Sequence, residues 1–186
     1  MRIISGYLKG KKIDLPIDNN TRPLRDMVKE SIFNIINHSS KIFCKIENAN
    51  ILDLFSGSGS FGLECISRGA GIVYFNENYL NALKILKKNI HSLECRNKVI
   101  LIEKDCFKLD ETIKKFNQKF DLIFLDPPFK EEKINFLIDM ILDLKILKKN
   151  GIIIIHRNKK DDQHLSKKIN IIDTRNYGVS KIIFGN

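Results

Sequence analysis

From residue 50 onward, short apolar runs alternate with longer segments in which apolar and polar positions recur at helical spacing. The runs at 50–55, 71–76, 98–103 and 120–125 have strand length and are rich in Ile, Val, Leu and Phe; 151–156 is a fifth. Between them, 60–68, 78–93, 107–116 and 131–147 read as helices. In the second of these, Leu80, Leu83, Leu86 and Ile90 fall on one face and lysines on the other. This alternation predicts a parallel sheet covered by helices.

Both ends of the chain depart from that rhythm. Residues 169–174 and 179–184 are strand-like runs joined by Arg175-Asn-Tyr-Gly178, which predicts a hairpin and adds antiparallel pairing to the sheet. Residues 1–49 read as an extension of their own, with extended stretches at 2–4 and 11–15 and a helix at 26–37 that places Val28, Ile32, Ile35 and Ile36 on one face. Residues 50–186 form the main domain. The predicted class is α/β: a Rossmann-like, seven-stranded, mostly parallel sheet with an antiparallel C-terminal hairpin and a small N-terminal hairpin–helix extension.

Composition narrows the function. No apolar run approaches the roughly 20 residues that cross a bilayer, and the N-terminus lacks the pattern of a secretory signal, so a cytoplasmic protein with no membrane partner is expected. Cys44, Cys65, Cys95 and Cys106 are scattered, as are the four histidines, and no metal-ligand spacing is visible. Lys and Arg number 32 against 22 Asp and Glu, a formal net charge of +10. That surplus favours a polyanionic partner, although a Lys-, Ile- and Asn-rich composition accounts for part of it.

Asp53-Leu-Phe-Ser-Gly57-Ser-Gly59-Ser-Phe-Gly62 follows the first strand and opens a helix. Glycines so spaced let the backbone turn sharply and approach a ligand, at the carboxyl end of a strand where open α/β sheets bind. Gly57, Gly59 and Gly62 satisfy the dinucleotide pattern G-x-G-x-x-G. Against a dinucleotide, Asp53 precedes the loop, where it can accept from a cationic amine, and the second strand ends in Asn76-Glu77-Asn78. The sharpest signal is Asp126-Pro127-Pro128-Phe129. Two prolines stiffen the strand end and hold a carboxylate and an aromatic ring on one mount. Asp126 and the Pro127 carbonyl can accept from an exocyclic amine while Phe129 stacks on the base, worth about 1–3 kcal/mol in single-stranded recognition.

Glycine loop and tetrapeptide together resemble the Rossmann-like amino-methyltransferases. Three further segments extend the resemblance over the whole chain: Arg2-Ile-Ile-Ser-Gly-Tyr-Leu-Lys-Gly10, Thr21-Arg-Pro-Leu-Arg-Asp-Met-Val-Lys-Glu-Ser-Ile-Phe-Asn34 and Tyr177-Gly-Val-Ser-Lys181. With them the chain resembles the bacterial 16S rRNA guanine-N2 methyltransferase family. The resemblance implies S-adenosylmethionine as cofactor and a guanine of 16S rRNA as substrate, in the small ribosomal subunit or an assembly intermediate, with the protein acting as a monomer. Asp126, Pro127, Pro128 and Phe129 match the catalytic motif. Asp53, Phe55, Gly57 and Gly59 would hold the methionine end of the cofactor and Asp105, Cys106 and Phe107 its adenine. Arg22, Pro23 and Glu30 match a motif that closes over it. Arg2, Tyr7, Lys9, Lys11, Lys12 and Arg25 are the expected RNA contacts.

Plainer readings stand beside these. Asp105 suits a helix N-cap, Arg22 a surface pair, Phe107 the core, and Lys9 to Lys12 a solvated face. The chain also departs from the family: Asn76 stands where an acid usually binds the ribose hydroxyls, with Glu77 one residue on, and Ile155-His156 replaces the frequent Glu-His, leaving His156 as suited to the surface as to the site. An adenine-N6 or cytosine-N4 DNA methyltransferase fits the tetrapeptide but finds no segment to read duplex DNA. A non-catalytic RNA-binding relic and, more remotely, a nicotinamide oxidoreductase complete the alternatives.

Overall fold

The computed structural model of the protein describes residues 1–18, 23–109, 112–113 and 117–186. Helix α1 (Asp26–His38) buries Val28, Ile32, Phe33 and Ile36 along one stripe, with Asp26 in its first turn, where the helix dipole favours an acid. Strand β1 (Asn50–Leu54) is followed by helix α2 (Ser60–Ser67), then β2 (Ile72–Asn76), α3 (Leu80–Ser92), β3 (Val99–Ile102) and β4 (Phe120–Leu125). Helix α4 (Ile134–Asp143), β5 (Leu147–Asn158) and the closing strands β6 (Ile171–Tyr177) and β7 (Ser180–Gly185) complete the chain.

The strands form one seven-stranded sheet in the order β3-β2-β1-β4-β5-β7-β6. Pairing is parallel from β3 to β5 and antiparallel for β5–β7 and β7–β6. The sequence-derived class and its C-terminal hairpin are therefore the observed architecture. One apolar cluster fills each face: Ile51, Phe61, Phe75 and Phe124 lie with α1 and α2 on one, and Leu52, Phe120, Ile138 and Ile155 with α4 on the other. Strands buried on both sides need the continuous apolar runs seen in the sequence.

The boundaries moved where local pairing outweighed periodicity. The fifth strand runs from 147 to 158 rather than 151 to 156, because Leu147 pairs with Phe120 and a bulge then shifts the register to Leu122–Ile152. The helix before it correspondingly ends at Asp143, not 147. Of the helix expected at 107–116, a 3-10 turn covers Cys106–Lys108, and 110, 111 and 114–116 lie outside the described residues.

Residues 1–13 fold back on themselves through one antiparallel bridge, Arg2–Lys12, instead of two regular strands. They then cover α2, each of whose eight residues is buried. Glu64 of α2 fixes this layer: its carboxylate accepts from the Ile4 and Ser5 amides at 2.7 and 2.9 Å and from Arg68 Nε at 2.8 Å. The fully buried Lys29 reaches it at 3.7 Å and donates to Arg2 O and Ser60 Oγ. Asn89 of α3 holds Asp14 through both backbone groups and ties Ser58 O to the same amide.

Candidate active site

The glycine loop and the tetrapeptide leave neighbouring strands at their carboxyl ends, β1 and β4, which pair from Ile51–Leu122 to Leu54–Leu125. Order reverses at this point of the sheet, so the ends splay and open a crevice. A cavity of about 570 Å³ lies there, a size suited to a nucleoside-type ligand. Its wall joins Asp53, Phe55 and Gly57 to Asn76 and Glu77 at the end of β2, to Asp105, Cys106 and Phe107 after β3, and to Asp126 through Phe129 after β4. Leu15, Pro16, Pro23 and Leu24 bring the N-terminal extension to it.

Each glycine of the loop has its own reason. Gly57 has φ +58°, and a Cβ there would meet nothing within 4 Å, so the residue serves the turn and leaves the backbone open to a ligand. Gly59 has φ +82°, and a Cβ would come within 2.4 Å of Leu86 Cδ1, which keeps α3 tight against the loop. At Gly62 an added Cβ would strike Phe75 at 2.3 Å.

Asp53 is 1% exposed and its Oδ2 accepts from Gly62 N at 3.0 Å, so one oxygen anchors the first turn of α2. Burial pushes its carboxyl well above the ordinary range; the Gly62 bond opposes this, and the charges of Asp126 and Glu77 add to it. Glu77 accepts from Gly57 N at 2.7 Å through one oxygen and from the Asn78 and Tyr79 amides through the other. The acid one residue past the strand thus reaches the glycine loop, while Asn76 donates its amide to Ile102 O and Lys104 O at the end of β3. Asp105 caps the 3-10 turn by accepting from Phe107 N at 3.0 Å, and it also faces the cavity. Phe107 is half-buried, edge-on to Phe55 at 6.1 Å. Cys106 is buried beside Asp105 and Glu131, and burial first, then those charges, push its thiol up to about 12.

The tetrapeptide is held from β5. His156 Nδ1 lies 2.8 Å from Asp126 Oδ1, and its Nε2 lies 2.8 Å from Ser180 Oγ on β7. The Phe129 ring stands edge-on to the same imidazole, 5.7 Å between centroids. Glu131 N donates to Pro128 O, and Arg157 Nη2 donates to Glu131 O. His156 is 2% exposed, so the surface reading of this residue is corrected: the parallel register that pairs Leu125 with Ile155 sets the next residues, Asp126 and His156, side by side. Nothing in the sequence marks Ser180 as a site residue: it lies within Tyr177-Gly-Val-Ser-Lys181, and only the hairpin geometry brings it to His156.

The expected RNA contacts Arg2, Tyr7, Lys9, Lys11, Lys12 and Arg25 are exposed on the N-terminal layer; Arg22, of the motif expected to close over the cofactor, lies outside the described residues. Glu30 is exposed on α1. Among the described residues no helix is long and apolar enough to cross a membrane.

Five acids line the cavity (Asp53, Glu77, Asp105, Asp126 and Glu131), and among the described residues no Lys, Arg or His does. In a chain of net charge +10 this local excess of negative charge suits a cationic ligand.

A family model described as conserved hypothetical protein 95 matches residues 1–186. Ribosomal RNA small subunit methyltransferase D of Buchnera aphidicola (subsp. Acyrthosiphon pisum) is 36% identical over 85% of this chain and 78% of its own length. Among solved structures, a conserved hypothetical protein of Streptococcus pyogenes is 27% identical and superposes with a TM-score of 0.70, covering 86% of this chain and 95% of that one. SMU.776, solved in complex with S-adenosylhomocysteine, shares the fold at TM-score 0.60 and 17% identity over 84% of this chain and 48% of its own. With its whole length matched by the family model and relatives of this identity covering most of it, the chain belongs to the conserved hypothetical protein 95 family of methyltransferase D-like proteins.

Proposed function

We propose that this protein transfers a methyl group from S-adenosylmethionine to the exocyclic N2 amine of a guanine in small-subunit ribosomal RNA. The observation that carries the reading is the joining of Asp126-Pro-Pro-Phe129 and the glycine loop across one acid-lined cavity. The RNA substrate is supported by the names of the relatives, and the base by the family resemblance of the sequence.

The cofactor supplies an electrophilic methyl on a sulfonium, and the protein's residues do the rest. Asp53, the Gly57 backbone and Glu77 hold the amino-acid and ribose ends; Asp105 and Phe107 flank the adenine. Asp126 accepts one hydrogen of the base amine and orients the nitrogen lone pair toward the methyl carbon. The amine gives up one proton when it is methylated, and Asp126, the acid nearest to it in this arrangement, or water would receive that proton. A delocalised amine is a poor nucleophile, so positioning carries much of the acceleration. Phe129 stacks on the base, and the lysines and arginines of the N-terminal layer meet phosphates.

Asp126→Ala tests the assignment. Transfer to ribosomal RNA falls by at least about 100-fold, as expected when a positioning hydrogen bond is lost from the reacting centre, while S-adenosylhomocysteine affinity by calorimetry stays within about twofold. If affinity falls in step with transfer, Asp126 serves the cofactor and its assignment to the base is wrong.

A further inference from the structure

Asp126 and Phe129, the two side chains of the tetrapeptide that would touch the base, both rest on one buried residue that the proposed chemistry does not use. His156 meets Asp126 Oδ1 through Nδ1 at 2.8 Å and the Phe129 ring edge-on at 5.7 Å. A carboxylate can only accept, so Nδ1 carries the hydrogen of that bond. In the neutral imidazole the opposite nitrogen then offers a lone pair to the Ser180 hydroxyl at 2.8 Å, a second anchor from β7. Ser180 is itself 3% exposed. Asp126, His156 and Ser180 span three adjacent strand ends, β4, β5 and β7, each on a paired strand or immediately beyond one.

We propose that His156 is the positioning residue of this site, setting the Asp126 carboxylate and the Phe129 ring in the geometry that receives the base, with Ser180 as the second anchor of its imidazole. The inference rests on the methyl-transfer reading above. A bare aspartate at a strand end rotates freely about two side-chain bonds. The contact of Nδ1 with Oδ1 restricts those rotations and sets the carboxylate in one orientation. His156 is not among the residues that line the cavity; it acts through Asp126 and Phe129. Arg157, the next residue of β5, holds the Glu131 carbonyl, so the same strand steadies the far end of the loop.

The test compares His156→Phe, His156→Asn and Ser180→Ala in the full-length protein, with small ribosomal subunits lacking base methylation as substrate. His156→Phe keeps the ring volume and loses the donor; kcat falls roughly 10- to 100-fold, with KM for both substrates and S-adenosylhomocysteine affinity within about twofold. His156→Asn restores a donor close to the Nδ1 position and recovers most of that loss. Ser180→Ala lowers kcat by about two- to fivefold, because the imidazole loses its second anchor. A wild-type rate in His156→Phe overturns the proposal. So does a rate in His156→Asn as low as in His156→Phe, or a cofactor affinity that falls with the rate.

The imidazole ¹⁵N spectrum tests the proposal without any turnover. An Nδ1–H signal in the wild type that shifts in Asp126→Ala supports it, and an Nε2–H tautomer overturns it. Wild-type inactivity on every nucleic acid would sink the functional reading instead, and the spectrum keeps the two failures apart.

Discussion

Glu64→Leu is the perturbation whose size the structure specifies most closely. The substitution puts an apolar side chain of similar volume on α2 and removes both acceptor oxygens. The Ile4 and Ser5 amides lose their partners at 2.7 and 2.9 Å, and a buried donor left unsatisfied costs about 1–3 kcal/mol. Lys29, whose side chain is 0% exposed, loses a counter-charge at 3.7 Å and keeps Arg2 O, Ser60 Oγ and the half-exposed Asp26. Breaking a buried pair by removing one partner costs about 3–5 kcal/mol. The two effects share one carboxylate and do not add, so the expected loss is about 3–5 kcal/mol. Burial already lowers the Lys29 pKa against the pull of Glu64 and Asp26, and the ability to shed a proton limits the damage. Urea unfolding followed by circular dichroism measures the loss. Thermal unfolding should fall by roughly 6–20 °C at about 2–4 °C per kcal/mol for a chain of this size. Lys29→Met added to Glu64→Leu removes the stranded charge and returns about 1–2 kcal/mol, while the Ile4 and Ser5 amides stay unsatisfied. A Glu64→Leu loss below about 1 kcal/mol would refute the reasoning, as would a double mutant no more stable than the single.

Two further perturbations address the site. Burial raises the Asp53 carboxyl above its unfolded value, so its contribution to stability is full in acid and is lost as pH rises through the raised value. Asp53→Asn keeps an acceptor for Gly62 N and should therefore gain stability over the wild type as pH rises from acid to neutral in thermal melts; a gap that narrows contradicts the assignment. The same variant should bind S-adenosylhomocysteine at least about tenfold more weakly, through loss of a charge-assisted hydrogen bond to the amine. For the N-terminal layer, replacing Lys9, Lys11 and Lys12 together should reduce the salt dependence of RNA binding by roughly 2–3 in the log–log slope, about 0.7–0.9 per phosphate contact. An unchanged slope in a filter-binding titration places the RNA elsewhere.

The parallel core was legible because strands buried on both faces leave continuous apolar runs, as in 50–55 and 120–125, and because the helix at 78–93 keeps its period. The hairpin was legible from Gly178 between two β-rich runs. What periodicity could not carry was the start of β5: Leu147-Lys-Lys-Asn150 has no strand pattern and is extended only because Phe120 pairs with it. The site divides in the same way. Asp53, Gly57 and Asp126 announced themselves by spacing, whereas Ser180 lies 54 residues beyond Asp126 and joins it only through His156 and two layers of strand pairing. Asp105 holds both readings at once, as cap of a 3-10 turn and as part of the cavity wall. Glu77 could be named as a substitute for Asn76, yet its bond to Gly57 N depends on the strand end turning one residue further than the motif implies.

The most direct test of the central claim is methyl incorporation from labelled S-adenosylmethionine into small ribosomal subunits lacking base methylation, with naked rRNA and DNA alongside and the product nucleoside identified by mass spectrometry. The account predicts N2-methylguanosine in small-subunit RNA and no label in DNA. Label in DNA as N6-methyladenine or N4-methylcytosine, or no transfer and no cofactor binding with any substrate, would contradict it.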